Sequence, residues 1–223
     1  MKQNEELEIL LDLLNKGGLS VDSHQKEQII KYLNLVYDWG KKINLVSRAD
    51  LNSLLGRHIF PSSLYALLIK KENVPERILD FGTGAGFPGV LLAILLEETK
   101  LTLLDSNRKK CLFLRQVRKN LSLSFSVVNE RLEQWAMRDK LRFPVITARA
   151  VASLPELIEY VRTVLSVPGY LLVVKGSDYL EELKEYTPRA AVRIAKLDVP
   201  QEWVEFNPYL KNKHFIKVEF VNA

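Results

Sequence analysis

The chain has 223 residues, 47% of them hydrophobic and 26% charged, with a formal net charge of +5 and an isoelectric point near 9.2. Those proportions fit a globular protein with one sizeable core, and the mild basic excess is compatible with nucleic acid as a partner without demonstrating it. A single cysteine, Cys111, excludes a disulfide framework or a thiolate zinc site built within the chain, and no metal is expected. Met1 is followed by polar and acidic residues and no apolar run approaches a membrane span, so a cytoplasmic, membrane-free setting is expected.

Leu7, Leu10, Leu11 and Leu14 recur at spacings of three and four, and Lys16-Gly-Gly18 stops the pattern, which predicts a first helix. A second helix is predicted from Asp22, with Gln25 as its capping-box partner and Ile29, Ile30, Leu33, Val36 and Tyr37 as its buried face. Lys41–Ser47 reads as a loop. A third helix carries Leu51, Leu54, Leu55, Arg57 and His58, is ended or kinked at Pro61, and resumes over Ser62–Ile69. Residues 1–72 thus read as an N-terminal helical cap, and residues 73–223 as a separate α/β domain.

After residue 76 the hydrophobic period changes. Arg77–Phe81, Leu101–Leu104, Ser124–Val128, Pro144–Ile146 and Tyr170–Val174 read as strands. Pro88–Glu97, Asn107–Asn120, Leu132–Asp139, Leu154–Val167 and Asp178–Tyr186 read as helices, and Val192–Leu197 with Phe215–Val221 as a closing, hairpin-like strand pair. Such alternation predicts a mostly parallel sheet with helices on both faces and a ligand at the carboxyl ends of the strands.

The stretch that organises the chain is Asp80-Phe-Gly-Thr-Gly-Ala-Gly-Phe-Pro-Gly89. A strand, a glycine turn and a helix form a nucleotide-type cofactor site, with Gly82, Gly84 and Gly86 giving the backbone freedom to meet a ligand closely. Gly84 to Gly89 satisfies G-x-G-x-x-G, a weak signal for a dinucleotide. Asp80 tilts the choice. A carboxylate before the turn sits poorly beside a pyrophosphate and well beside the ammonium and sulfonium of S-adenosylmethionine, which is favoured over NAD.

The first residues after each strand are the other candidates. Asp105 lies about twenty residues beyond the glycines, where an acid accepts the hydroxyls of a ribose; its plainer role is a helix cap. Leu132 and Glu133 follow the third strand, where an adenine could lie. Arg149, flanked by small apolar residues, is expected to aim its guanidinium into the cleft, and Lys175 adds a cation at the same rim. For nucleic acid, Arg108, Lys109 and Arg115 on the helix Asn107–Asn120 could hold phosphates, although a solvated basic face explains them equally well. Arg57, His58 and Lys175 are further candidates for the RNA phosphates; Arg57 and His58 could overhang the cofactor mouth or instead hold the cap to the sheet.

Together with Leu104-Asp-Ser106, Thr147-Ala-Arg-Ala-Val-Ala-Ser-Leu154, Lys175-Gly176, Ile43-Asn-Leu-Val46 and Arg57-His-Ile59, the glycine stretch resembles the RsmG (GidB) family, bacterial methyltransferases for N7 of a guanosine in 16S ribosomal RNA. The resemblance implies a class I, Rossmann-like methyltransferase with a seven-stranded sheet whose seventh strand is antiparallel. It implies S-adenosylmethionine as cofactor, with contacts at Gly82, Phe87, Asp105, Leu132, Glu133 and Arg149, and 16S rRNA or the small ribosomal subunit as partner; a monomer is expected, though no residue pattern fixes the oligomeric state. Pro61 and Val46 depart from the family pattern, standing where it has an acid and a threonine.

The chemistry is consistent with these residues. Guanine N7 carries an in-plane lone pair and no proton, so attack on a sulfonium methyl requires placement and dryness rather than a general base. No Asn/Asp-Pro-Pro-aromatic stretch for an exocyclic amine follows the fourth strand, and Cys111 lies within a helix rather than at a strand end. Three rivals remain: an NAD-dependent oxidoreductase, an RNA-binding module with an idle cofactor fold, and a methyltransferase for another RNA or a small molecule. Nothing after residue 180 resembles the substrate domain that the oxidoreductase would need.

Overall fold

Two helices open the chain. α1 (Lys2–Lys16) buries Leu7, Leu10, Leu13 and Leu14. α2 (Ser23–Gly40) starts from the expected capping box: the Asp22 carboxylate accepts from the Gln25 N–H at 2.7 Å, and the Gln25 side chain accepts from the Asp22 N–H at 3.1 Å. The buried stripe of α2 is Gln25, Gln28, Ile29, Tyr32, Leu33 and Val36. Spacings of three and four from Gln25 put Tyr32 on that stripe, while Ile30 and Tyr37, expected inside, stand on the outer face.

The third expected helix is three pieces. Leu51–Ser53 form a 3-10 turn, Leu55–Ile59 a π-helical turn, and α3 runs over Phe60–Glu72. Pro61 therefore starts a helix instead of interrupting one, in a position where its missing N–H is not needed.

The remainder alternates as β1 (Arg77–Phe81), α4 (Gly89–Leu95), β2 (Lys100–Leu104), α5 (Arg108–Asn120), β3 (Phe125–Val128), α6 (Leu132–Arg138), β4 (Phe143–Arg149), α7 (Leu154–Val161) and β5 (Leu165–Lys175). α8 (Tyr179–Leu183), β6 (Val192–Leu197), α9 (Gln201–Phe206), a 3-10 turn at Pro208–Asn212 and β7 (His214–Phe220) follow. The computed structural model describes residues 2–188 and 191–221. α7 ends six residues before its expected limit of Val167 because the chain turns at Arg162–Val164 and enters β5, whose Val167–Pro168 peptide is cis.

The sheet order is β3-β2-β1-β4-β5-β7-β6. β3, β2, β1, β4 and β5 are parallel; β7 is antiparallel to both β5 and β6. The order reverses between β1 and β4, so the crevice lies at their carboxyl ends. Side chains alternate along each strand into two cores. Ile78, Leu103, Val145 and Leu172 face α4, α5 and the cap helices; Leu79, Leu104, Ile146 and Leu171 face α6 and α7. Leu10, Leu14, Ile29 and Leu67 of the cap share the first core with the sheet, so the cap is welded to one sheet face.

Candidate active-site cleft

β1 delivers the chain into the glycine turn, where Gly82, Gly84 and Gly86 all take positive φ, at 66°, 60° and 99°. A Cβ at Gly82 would lie 2.5 Å from Val151 Cγ2, and one at Gly86 2.5 Å from Val90 Cγ2, so backbone conformation and space both demand glycine there. The cap braces this turn from behind. The Tyr32 hydroxyl of α2 donates to Ala85 O at 2.8 Å, and its ring lies 5.2 Å from that of Phe87. Burial pushes the Tyr32 phenol well up, which keeps it a donor.

Asp80, expected to face a cationic ligand, faces inward. It is 0% exposed, and its carboxylate accepts from Gly89 N at 2.8 Å and from Thr147 Oγ1 at 2.8 Å. Burial raises its pKa to about 6 against the opposing pull of those hydrogen bonds. The acid ties the start of α4 and the end of β4 to β1, and so shapes the turn from beneath.

Asp105, at the end of β2, accepts from Gly84 N at 2.9 Å through Oδ2 and from Asn107 N at 2.7 Å through Oδ1. The α5 cap is Asn107, whose side chain accepts from Lys109 N and Lys110 N. Each Asp105 oxygen keeps a lone pair for a ligand hydroxyl.

Beyond the turn lies a cleft of about 530 Å³, walled by Gly82, Thr83, Gly84, Ala85 and Phe87 on one side and by Arg149, Ala150, Ala152 and Lys175 on the other. Val46, Asp50, His58, Pro61 and Tyr209 close it from the cap and the final connection. Arg149 Nη2 donates to Arg57 O at 2.6 Å, while Nη1 is buried without a partner among the described residues. Lys175 donates to Glu182 at 2.8 Å and to Ala152 O at 3.1 Å. Its expected role as a phosphate ligand would require leaving that carboxylate.

His58 stacks at 4.8 Å on Phe87, with Nε2 3.3 Å from Asp50 Oδ2 but poorly aligned for a hydrogen bond. Burial, helped by the Arg149 charge, lowers its pKa to about 4, so the ring is neutral at pH 7. Arg57 is exposed and paired with Asp50 at 2.8 Å.

Arg108, Lys109 and Arg115 of α5 are exposed and, among the described residues, pair with no carboxylate. Leu112, though apolar, is 46% exposed on the same helix; Cys111, Phe113, Leu114 and Val117 form the buried stripe. Leu132 is buried in the second core and Glu133 is exposed in the first turn of α6, and neither lines the cleft.

Residues 25–204 match the family described as GidB, rRNA small subunit methyltransferase G. The chain belongs to the GidB family. Among curated GidB relatives, the ribosomal RNA small subunit methyltransferase G of Enterobacter sp. strain 638 is 35% identical over 206 residues, 91% of this chain and 97% of that one. Its counterpart from Escherichia coli O17:K52:H18 is 36% identical over 86% of this chain and 90% of its own length. Solved structures agree on the fold. An rRNA methylase from Streptococcus thermophilus has a TM-score of 0.50 at 14% identity, over 73% of this chain and 97% of its own. A mutant of MtNAS in complex with S-adenosylmethionine has a TM-score of 0.53 at 14% identity, over 97% of this chain and 78% of its own. The architecture is the class I, Rossmann-like methyltransferase fold, and S-adenosylmethionine is the methyl donor of the family.

Of the residues nominated from sequence, the GidB cleft gathers Gly82, Gly84, Phe87, His58, Arg149 and Lys175 in its walls. Asp80 and Gly86 lie behind those walls, Asp105 stands at their edge bonded to the wall residue Gly84, and Arg57 reaches the cleft through its carbonyl. Sequence reasoning missed Tyr32, Thr147, Asp50 and Tyr209. Tyr32 was recoverable by phasing α2 from Gln25, and Thr147 by its place at the end of β4. Tyr209 arrives from a connection without a periodic signal.

Proposed function

We propose that this chain methylates N7 of a specific guanosine in bacterial 16S rRNA, free or within the small subunit, as a monomer in the cytoplasm. The observation that carries the proposal is the GidB match across residues 25–204 combined with a crevice at the carboxyl ends of β1 and β4 that offers an unpartnered guanidinium nitrogen. The cleft volume suits a nucleoside-sized ligand. Among the described residues, no helix is long and apolar enough to cross a membrane.

S-adenosylmethionine, when bound, supplies an electrophilic methyl on a sulfonium. This chain's residues place and enclose the partners. Gly82, Gly84 and Gly86 let the backbone approach the donor, and Asp105 offers its free lone pairs to ribose hydroxyls. Arg149 Nη1 is placed for the donor's carboxylate or a nearby phosphate. Phe87 contributes an apolar wall against which water is excluded. Neutral His58 and the apolar Val46 and Pro61 line the side from which a base would enter. Asp80 acts through the turn it holds rather than by touching the donor. Leu132 and Glu133, which the resemblance assigns to the cofactor, lie outside the cleft walls, and in this proposal the donor reaches them only at the start of α6.

One methyl passes to N7 and the guanine ring gains a positive charge; no proton leaves the base, so no general base is required. Arg108, Lys109 and Arg115 hold phosphates beside the cleft, with Arg57 at its rim and Lys175 joining them only on leaving Glu182. Incubation with labelled methyl donor and small ribosomal subunits or 16S rRNA, followed by mapping of 7-methylguanosine, tests the proposal. Label at a single guanosine is expected, and no transfer to either form of the RNA would sink it.

A further inference from the structure

A second cleft, of about 700 Å³, opens between α2, the 3-10 and π turns of the cap, and the final connection, with Glu6 of α1 as the one carboxylate among the described residues that line it. It adjoins the methyl-transfer cleft: Tyr209 lines both, and the Gly56–Arg57 backbone forms the partition. That partition is held from each side, Asn207 Nδ2 donating to Gly56 O at 2.7 Å and Arg149 Nη2 to Arg57 O at 2.6 Å. A ligand extending out of the first cleft past Tyr209 therefore enters the second.

The walls of this cleft have the chemistry of a single-stranded nucleic acid subsite. Two tyrosine rings border it, with cations beside them: Lys41 Nζ lies 3.8 Å from the centre of the Tyr37 ring, and Lys213 Nζ and Arg57 Cζ lie 4.9 and 5.6 Å from that of Tyr209, the lysines standing just outside the cleft lining. Neither lysine has a carboxylate partner among the described residues. Tyr37 is 39% exposed although large and aromatic. The floor is apolar and buried, made by Leu33, Leu54 and Leu55. Asn34, Asn52 and Ser53 bring amide and hydroxyl groups to the walls, and none of these side chains is hydrogen-bonded to described protein. Aromatic faces for stacking, free amides for base edges and lysines for the backbone are what an unpaired nucleotide requires.

Resting on the rRNA methyltransferase reading above, we infer that this second cleft receives an unpaired base flanking the target guanosine, stacked against Tyr37 and Tyr209. The target base then enters the first cleft with its neighbour anchored across the Gly56–Arg57 partition. Selection of one guanosine draws on that neighbour as well as on the target.

The test uses the full chain and a short single-stranded RNA with one guanosine and 2-aminopurine on either side of it. Stacking against Tyr37 is expected to quench 2-aminopurine on one side only. Tyr37→Phe should retain the quench, and Tyr37→Ala should abolish it and weaken strand binding about tenfold, the scale of one base–aromatic stack. S-adenosylmethionine affinity, measured in parallel, should be the same in all three proteins, and this also reports that the exposed substitution leaves the fold intact. Emission or affinity indifferent to Tyr37→Ala would overturn the assignment. So would free adenosine monophosphate binding as tightly as the strand, since the cleft would then be a separate mononucleotide site. Failure of the wild type to methylate ribosomal RNA would count against the proposed function, whereas the quench decides the cleft by itself.

Discussion

Arg149 Nη2 is 2.6 Å from the carbonyl oxygen of Arg57, so the end of β4 is hydrogen-bonded to the π turn of the cap while Nη1 has no partner among the described residues. One planar side chain thereby fixes the cap over the cleft and offers a donor within it. Lysine, with a single point-like head, cannot serve both directions in the same geometry.

Arg149→Ala and Arg149→Lys should both lower methyl transfer, by roughly a hundredfold or more, because placement of the reacting groups is the main task of the cleft. Circular dichroism should show a retained fold. A rate within a few-fold of wild type for Arg149→Lys would show that the forked geometry is not used.

Tyr32→Phe removes the hydroxyl that donates to Ala85 O and leaves the packing on Phe87 in place. Loss of one hydrogen bond should cost about 1 kcal/mol of stability. Calorimetry with S-adenosylmethionine should also show weaker binding, because Ala85 belongs to the turn that meets the donor. Unchanged affinity together with lowered stability would restrict Tyr32 to holding the cap.

His58 is neutral in the folded chain down to about pH 4, whereas an unfolded histidine takes a proton near 6.5. Between those values the unfolded state binds more protons, so stability rises with pH across that window. Relative to His58→Gln, the wild type should gain up to roughly 3 kcal/mol from pH 4 to 6.5 in urea unfolding. A flat difference would mean that the ring is protonated when folded.

Asp80 has the opposite sign. Its folded pKa of about 6 lies above the ordinary 3.8, so from pH 4 to 6 the folded state holds a proton that the unfolded state has released. Stability from this group is greatest at the acid end and is lost as pH rises through about 6. Comparison with Asp80→Asn over the same range should expose a falling wild-type contribution that partly cancels the rise from His58. A rising one would show the carboxylate to be better solvated than its burial indicates.

Arg108→Gln and Arg115→Gln should each weaken RNA binding at low salt. For every phosphate that an arginine no longer neutralises, the slope of log affinity against log salt should fall by about one unit. S-adenosylmethionine binding should not change. An unaltered slope in the double variant would make this face of α5 a solvated surface.

The sheet and the cofactor turn were legible because both leave local traces. Buried parallel strands read as short apolar runs, and only glycine satisfies the positive φ at Gly82 and Gly86. The orientation of Asp80 was not legible. Its partners Thr147 and Gly89 come from a different strand and a later helix, and spacing along β1 gives no sign of which way a carboxylate turns. The cap was half legible: α2 was found with its capping box, but its face was misphased at Tyr37 because the polar Gln25 and Gln28 are buried, donating to Ile94 O and Leu121 O. Lys175 shows the same limit on the charged side, since Glu182 reaches it from a helix that sequence reasoning placed without assigning a task.

The π turn at Leu55–Ile59 amounts to one residue more than an α-helix would use over the same rise. Excising a single residue there would let the segment wind as a regular α-helix into α3 over the same rise, turning the Gly56 and Arg57 carbonyls back toward the helix's own N–H groups. Asn207 and Arg149 would then lose both carbonyls at once, and the two clefts would no longer share a wall. A chain shortened by that one residue could keep its sheet, its glycine turn and its grip on the methyl donor, and yet have no doorway for the strand that brings the base.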